Sequence, residues 1–517
     1  MLLAALYGWQ RLGQSVWGDE DYTIKTYIED QVTEQTNGSL RFEKPSWASA
    51  LWNFKRPNNH VGFTVLAKAC HDWFFTPGTG PRDSFFSEPL VRAPAYLAGV
   101  LSVAALWWLA GVYGWQGGAV AALLFLYVQH PWYVRFSSDA RGYSLLLLLI
   151  PLCLGAAGRA VQTGQWRWWC LLAGCQFYAM WTWVSSIYVI ASLNLALPCM
   201  CWFASGWSKE ERKTLLLRWL ASGLMTAIAV VLIMAPLFPQ LRDFMRSGAK
   251  GLEGGMNAAW GIDMLGYTWF GTPWYPWLLG NPLCVSIQQS GLTVVYVLAG
   301  VGMLLLWVYG SVRLWKEEMQ RWLLVVSLAA PLFMFLHLGL TSVKPYHWYL
   351  LLFLPGWLIL VLPVLQSAVE PMLARGRCLL LLALLVTVSW LAAPQRQMLL
   401  RYPIEANRES VFLTRQITNP RHPQYGSDSI TAGFTMFTEA YDPTMVRFQT
   451  KAELEELIQK ARDTKRDLFI NFSSRGFCEA NYPELFQLFN DKHLFESKAV
   501  LPGQFAASTR EVLCLRK

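Results

Sequence analysis

The chain has 517 residues, 54% of them apolar and only 15% charged, with a net charge of +9 and a mean hydropathy of +0.28. A soluble protein of this length carries nearer a quarter charged residues, so the composition excludes a freely soluble globular protein. Much of the basic excess sits in short loops between apolar blocks, which reads as membrane topology and not as a nucleic-acid footprint.

In chain order, Leu2–Trp9 is apolar but too short to cross a bilayer, since a span needs about 20 residues. It reads as the outer end of a first span that is incomplete here; a signal peptide would need a basic start and a small-residue cleavage site. A polar segment, 10–92, follows. Within it Val61–Phe75 is apolar but interrupted by Lys68, His71 and Asp72, which suits a helix lying in the interface. Ten longer apolar blocks come next: Pro94–Tyr113, Gly118–Val134, Tyr143–Val161, Trp168–Val184, Ile187–Ala204, Leu217–Phe238, Val285–Tyr309, Leu323–Leu340, Trp348–Leu365 and Cys378–Ala393. The fold class is therefore a polytopic α-helical membrane protein of about eleven spans, the first truncated. The membrane domain covers 1–394, and a soluble α/β domain covers 395–517. In that tail Ile430–Phe434, Leu468–Phe472 and Val512–Leu515 read as strands, and Leu454, Leu457, Ile458 and Ala461 as a helical stripe. It carries no glycine-rich phosphate loop.

Loop charge sets the orientation. With Met1 inside, the inside loops hold Arg159 and Arg167; Lys209, Arg212, Lys213 and Arg218; Arg313, Lys316 and Arg321; and Arg375 and Arg377. These are short and Lys/Arg-rich, as cytoplasmic loops are. Segment 10–92, the loop 135–141, the loop 239–283 and the tail then lie outside, in an extracytoplasmic compartment that permits disulfides. Cys478 and Cys514 are the tail's two cysteines, and the expectation is that they pair.

Four polar motifs punctuate the outer face. Trp17-Gly18-Asp19-Glu20-Asp21-Tyr22 places three acids at a membrane boundary, where they must be solvated, paired or set in a wet cavity. Asp19 and Asp21 also fit a loose Asp-x-Asp pattern able to hold a divalent metal, the one cofactor the sequence suggests. Pro57-Asn58-Asn59-His60 precedes the interfacial helix. Arg135-Phe136-Ser137-Ser138-Asp139-Ala140-Arg141-Gly142-Tyr143 lies at the mouth of a span, where Arg can snorkel or clamp a phosphate. Lys344-Pro345-Tyr346-His347-Trp348-Tyr349 lies between two late spans, in an aromatic-belt setting.

In this order the motifs resemble the GT-C superfamily of membrane glycosyltransferases, the broad group that includes protein O-mannosyltransferases and aminoarabinose transferases. The resemblance is carried by Asp19-Glu20, Asn59-His60, Arg92-Ala93-Pro94, Ser138 to Ser144, and Tyr346 with Pro355, over about residues 2–365. It implies an inverting transfer of a sugar from a polyprenyl-phosphate donor to an acceptor on the outer face. It also implies a catalytic acid at Asp19, with Glu20 beside it, and donor-phosphate ligands at Arg141 and Lys344. Substrate contacts would come from His60, Asp139, Tyr143, Tyr346 and His347. The sequence departs from the family where Val61-Gly62 replaces the usual prolines and where Asp139 stands for a glutamate. It has no β-trefoil insertion, so a protein acceptor is not favoured.

The chemistry agrees with the residue types. The transition state gathers charge on the leaving phosphate, which Arg stabilises. The acceptor needs a base as its proton loosens, which a carboxylate supplies. The partners implied are a polyprenyl-phosphate-linked sugar, an unidentified acceptor and membrane lipid, with no nucleic acid. A lipid-linked glycan polymerase or ligase, or a membrane transporter, remains as an alternative; a transporter would tend to show internal repeats and midplane charges.

Overall fold

The computed structural model describes residues 1–29, 31–34, 40–54, 59–76, 85–203, 206–246, 256–276, 286–374, 378–418, 429–434, 438–473, 475–504 and 508–516. Pro57, Asn58, Val285, Arg375 and Arg377 of the motifs and loops above lie outside these.

The protein is mostly helical. Among the described residues seven helices are long and apolar enough to cross a membrane, beginning at Glu88, Tyr143, Val184, Lys209, Thr293, Arg321 and His347. The other four expected spans are shorter helices: Leu2–Leu12 with 11 residues, Gly117–Gln129 with 13, Trp166–Thr182 with 17 and Cys378–Leu391 with 14. The count of eleven crossings therefore does not stand on helix length. The bundle is organised around Tyr143–Thr163, 83% of whose apolar stretch is buried, whereas Thr293–Lys316 is only 17% buried. A helix apolar all round is covered by its neighbours, and one left open to the outside faces lipid.

Two boundaries differ from expectation for local reasons. The block Gly118–Val134 is not one span. It breaks at His130, whose Nδ1 accepts from Trp132 N at 3.1 Å and caps a separate helix, Pro131–Phe136. Proline at the first helical position is tolerated because its missing N–H has no partner to lose there. The span expected from Leu217 begins instead at Lys209, where Ser208 and Glu211 form a reciprocal cap: Glu211 N donates to Ser208 Oγ (3.3 Å) and Ser208 N to Glu211 Oε2 (2.8 Å).

In the polar segment, β1 (Gln31–Glu34) and β2 (Leu40–Glu43) form an antiparallel pair. The C-terminal region builds a second sheet from β3 (Ile430–Phe434), β4 (Val446–Phe448), β5 (Leu468–Ser473), β6 (Phe495–Leu501) and β7 (Arg510–Leu515). Its order is β4-β3-β5-β7-β6, with β3 parallel to β4 and β5, and β7 antiparallel to β5 and β6. The Lys451–Asp463 helix crosses between β4 and β5 and buries Leu454, Leu457, Ile458 and Ala461, the expected stripe. The expected disulfide is absent: Cys478 and Cys514 are free thiols. Side chains alternate along a strand. Leu513 and Leu515 share a core with Cys478, so Cys514 between them points to the other face.

This region docks onto the start of the chain. Tyr441 donates to Glu88 Oε1 at 2.9 Å and accepts from Val16 N at 3.0 Å, while Asn407 donates to Val16 O at 2.8 Å. Arg408 completes the contact through Glu88 (3.0 Å).

Candidate functional site

The helix Gly18–Tyr27 starts with the three acids in its first turn, where the helix dipole favours negative charge. Successive residues point about 100° apart around a helix, so each acid meets a different environment. Glu20 points inward. Its carboxylate takes a two-pronged bond from Arg92, Nε to Oε1 at 2.9 Å and Nη2 to Oε2 at 2.6 Å, and accepts N–H groups from Ala140 and Trp17. Burial raises its pKa, but Arg92's charge and these hydrogen bonds outweigh that and hold it below the ordinary carboxylate value. Arg92 also donates to the carbonyls of Arg11, Leu12, Gln14 and Ser15, so one side chain closes the end of the Leu2–Leu12 helix and anchors the next.

Asp21 points toward the C-terminal region. Its Oδ1 accepts from Ala440 N at 2.9 Å, and burial pushes its pKa up to about 6 despite Lys25 nearby at 3.7 Å. Lys25 also pairs with Glu439. Asp19 and Asp21 lie about 200° apart around the helix, so the two carboxylates of the Asp-x-Asp pattern point apart. Among the described residues no three His, Cys, Asp or Glu side chains gather as a metal site.

Asp19 is the partly exposed acid. Thr23 Oγ1 donates to its carbonyl at 3.1 Å and accepts from Arg141 Nη1 at 2.7 Å; the same Nη1 reaches Asp19 O at 3.3 Å. Two residues 122 positions apart are thus within hydrogen-bond reach. Tyr143, Tyr346 and Tyr349 are close enough for the Asp19 charge to bear on them. Tyr346's phenol is raised by burial first and by Asp19 second.

His60 caps the Val61–Phe74 helix, and its Nδ1 accepts from Gly142 N at 2.9 Å. Burial, then the Arg141 charge, hold its pKa well below the usual imidazole value, so the ring is neutral. The approach needs a glycine, since a Cβ on Gly142 would collide with Thr182 Cγ2 and crowd His60. From His60 an aromatic wall continues: Tyr143 edge-on at 4.9 Å, Trp183 beyond it at 5.6 Å, and Tyr349 against Trp183 at 5.1 Å. Tyr346 stacks on Trp348 at 4.3 Å.

The remaining expected residues separate. Asp139 is bound to Arg11 at 2.8 Å, with Arg135 Nε at 3.6 Å, so its charge is already compensated inside the protein. His347 is stacked face to face on Tyr267 at 3.8 Å. Lys344 exerts its charge on Asp263, whose Oδ1 accepts the N–H groups of Trp274 and Tyr275. Arg135 was in the motif but not among the expected ligands. Its guanidinium lies over Trp17 (4.9 Å) and Trp348 (5.7 Å), which places it beside Tyr346. Tyr349 was likewise in a motif without being an expected contact; Trp183 and Thr23 were missed, since their partners are distant in sequence and no local pattern marks them. The hydroxyls of Ser138, Ser144 and Thr182 near Gly142, and that of Ser186, are buried with no hydrogen bond in the structure; such groups are uncommon in native proteins.

No family model matches the chain, and no curated protein does. Among solved structures, the crystal structure of ArnT from Cupriavidus metallidurans in the apo state aligns over 99% of this chain and 96% of its own, with a TM-score of 0.51 and 12% identity. The archaeal oligosaccharyltransferase AglB from Archaeoglobus fulgidus, in complex with an inhibitory peptide and a dolichol-phosphate, aligns over 93% of this chain and 69% of its own, with a TM-score of 0.46 and 11% identity. The chain has the ArnT fold over nearly its whole length.

Proposed function

We propose that the chain is a GT-C-type glycosyltransferase that moves a sugar from a polyprenyl-phosphate donor to an acceptor on the outer face of the membrane. The observation that carries this reading is the meeting of Asp19, Arg141 and the Tyr143–Tyr346–Tyr349 group at one end of a helical bundle with the ArnT fold. Asp19 is the acid left partly exposed, and it serves as base. Glu20, saturated by Arg92, positions the helix and is released from a catalytic role. Arg141 and Arg135 hold the donor phosphate; Lys344 stands as a second cation for the donor's approach. His60, neutral and fixed on Gly142, and the aromatic wall shape the sugar site.

In the transfer, the acceptor oxygen or nitrogen attacks the anomeric carbon while the bond from that carbon to the phosphate oxygen breaks. Asp19 takes the acceptor's proton, and the polyprenyl phosphate leaves with the electron pair. Attack opposite the leaving group inverts the sugar carbon. Charge gathers on the phosphate, where buried guanidinium groups act in a low dielectric and are worth more than in water. Sequence parity puts this end outside. The test is transfer of labelled sugar by the purified chain. A polyprenyl-monophosphate sugar is the expected donor; robust transfer from a nucleotide sugar without lipid carrier would overturn the reading.

A further inference from the structure

A second polar locus lies at the other end of the bundle. The Tyr143–Thr163 helix leaves the His60–Gly142 contact and runs about 31 Å at 1.5 Å per residue to Gly164, whose carbonyl accepts from Arg218. Beside that point, between the helices Ile187–Phe203 and Lys209–Met234, is a groove of about 600 Å³. Its lining runs along one face of the second helix, with Lys209, Arg212 and Lys213 in the first five residues and then Leu216, Leu217 and Leu220. Trp202 closes it from the neighbouring helix and is 62% exposed. Trp219 also lines it and is tied by Nε1 to Asn194 Oδ1 at 3.2 Å, which joins the two helices behind the groove.

Three cations give way to aliphatic side chains within about 16 Å of helix. That is the profile of an anionic lipid, with a charged headgroup at the interface and a chain below it. The acids of the same turn do not line the groove. Glu211 is committed to the Ser208 cap, and Glu210 lies about 100° around the helix from Lys209. Exposed Leu217 and Leu220, each 57%, and the exposed tryptophan face outward, where lipid meets a spanning helix. Basic grooves between spanning helices on the cytoplasmic side bind anionic headgroups in this way.

We infer that this groove is a binding site for an anionic glycerophospholipid, whose phosphodiester sits among Lys209, Arg212 and Lys213 and whose acyl chain lies along Leu216, Leu217 and Leu220. The site is separate from the Asp19 centre and needs neither donor nor acceptor. Sequence parity places it in the cytoplasmic leaflet.

Titration of the detergent-solubilised full chain with phosphatidylglycerol or phosphatidylcholine, read by native mass spectrometry, tests it. The expected result is selective binding of phosphatidylglycerol. Lys213→Gln, at an exposed position, should weaken that binding roughly fivefold, from about one surface-cation contribution. K209Q/R212Q/K213Q together should bring it to the phosphatidylcholine level. Arg313→Gln, a basic residue outside the groove, should leave it unchanged. Retained binding in Lys213→Gln, or an equal loss in Arg313→Gln, would overturn the assignment. So would displacement of phosphatidylglycerol by inorganic phosphate. None of these readouts depends on transfer activity, so the site can fail without the transferase reading failing, and the reverse.

Discussion

Two sides of the helix Gly18–Tyr27 carry the same residue type in unlike surroundings. On one side Asp19 is partly exposed among tyrosines, with the Arg141 guanidinium against its own carbonyl. On the other Asp21 is fully buried under Ala440 with an elevated pKa. Glu20 lies between them, inside the bundle and bound to Arg92. A rotation of about 100° per residue therefore divides three consecutive acids into one exposed group beside the candidate site, one structural anchor and one tail contact. Residue identity alone does not say which acid does chemistry; the neighbours each one turns toward do.

The comparison can be broken most directly at Asp19. Asp19→Asn keeps the shape and removes the base, so turnover should fall by roughly 10²–10⁴-fold while donor binding and the melting temperature hold. Near-normal turnover would remove Asp19 from the chemistry. Glu20→Gln should do something different: it leaves the Arg92 charge buried without its counter-charge, at a cost of about 3–5 kcal/mol, seen as a lower midpoint of thermal unfolding. An unchanged midpoint would show that the pair is not an anchor. Arg135→Lys and Arg141→Lys keep the charge but lose the planar fork. Each should weaken donor affinity by roughly tenfold, measured by titration with polyprenyl phosphate, and wild-type affinity in both variants would move the phosphate elsewhere.

Asp21 yields an effect with a sign. Its folded pKa of about 6 exceeds the ordinary aspartate value of 3.8, so between about pH 4 and 6 the folded state holds more protons than the unfolded one. Stability from this group is then greatest below that window and falls as pH rises through it, by up to about 3 kcal/mol. Asp21→Asn keeps an acceptor for Ala440 N and should flatten the slope of melting temperature against pH across that window. A variant with the wild-type slope would show that another group sets it.

Much of this arrangement was legible early. The acid motif, His60 and Arg141 stand out because charge or histidine at a membrane boundary needs a reason, whereas Tyr346 entered through the family resemblance; in the structure Arg141 meets Asp19 and bears on His60, and Asp19 bears on Tyr346. The strands expected at Ile430–Phe434 and Leu468–Phe472, from short β-branched and aromatic runs, are both found, the second running one residue further to Ser473. What was not legible is partner choice. Arg11 and Asp139 lie 128 positions apart, and Arg92 and Glu20 lie 72 apart; no periodicity encodes such pairings. The Cys478–Cys514 expectation failed for a related reason, since compartment and number say that two cysteines could bond but only strand alternation says which way Cys514 faces.

The Arg92 contact also bears on how the protein is made. Arg92 holds four carbonyls at the end of the first helix and the carboxylate that anchors the second, so neither helix has its polar partners until residue 92 has left the ribosome. The other side of the second helix waits longer, for Ala440. At synthesis rates of about 5–20 residues per second, the two events are separated by roughly 17–70 s. Through that interval Asp21 lacks its buried partner and stays open to water, so the acid-bearing helix reaches its final state only when the last fifth of the chain folds back onto it.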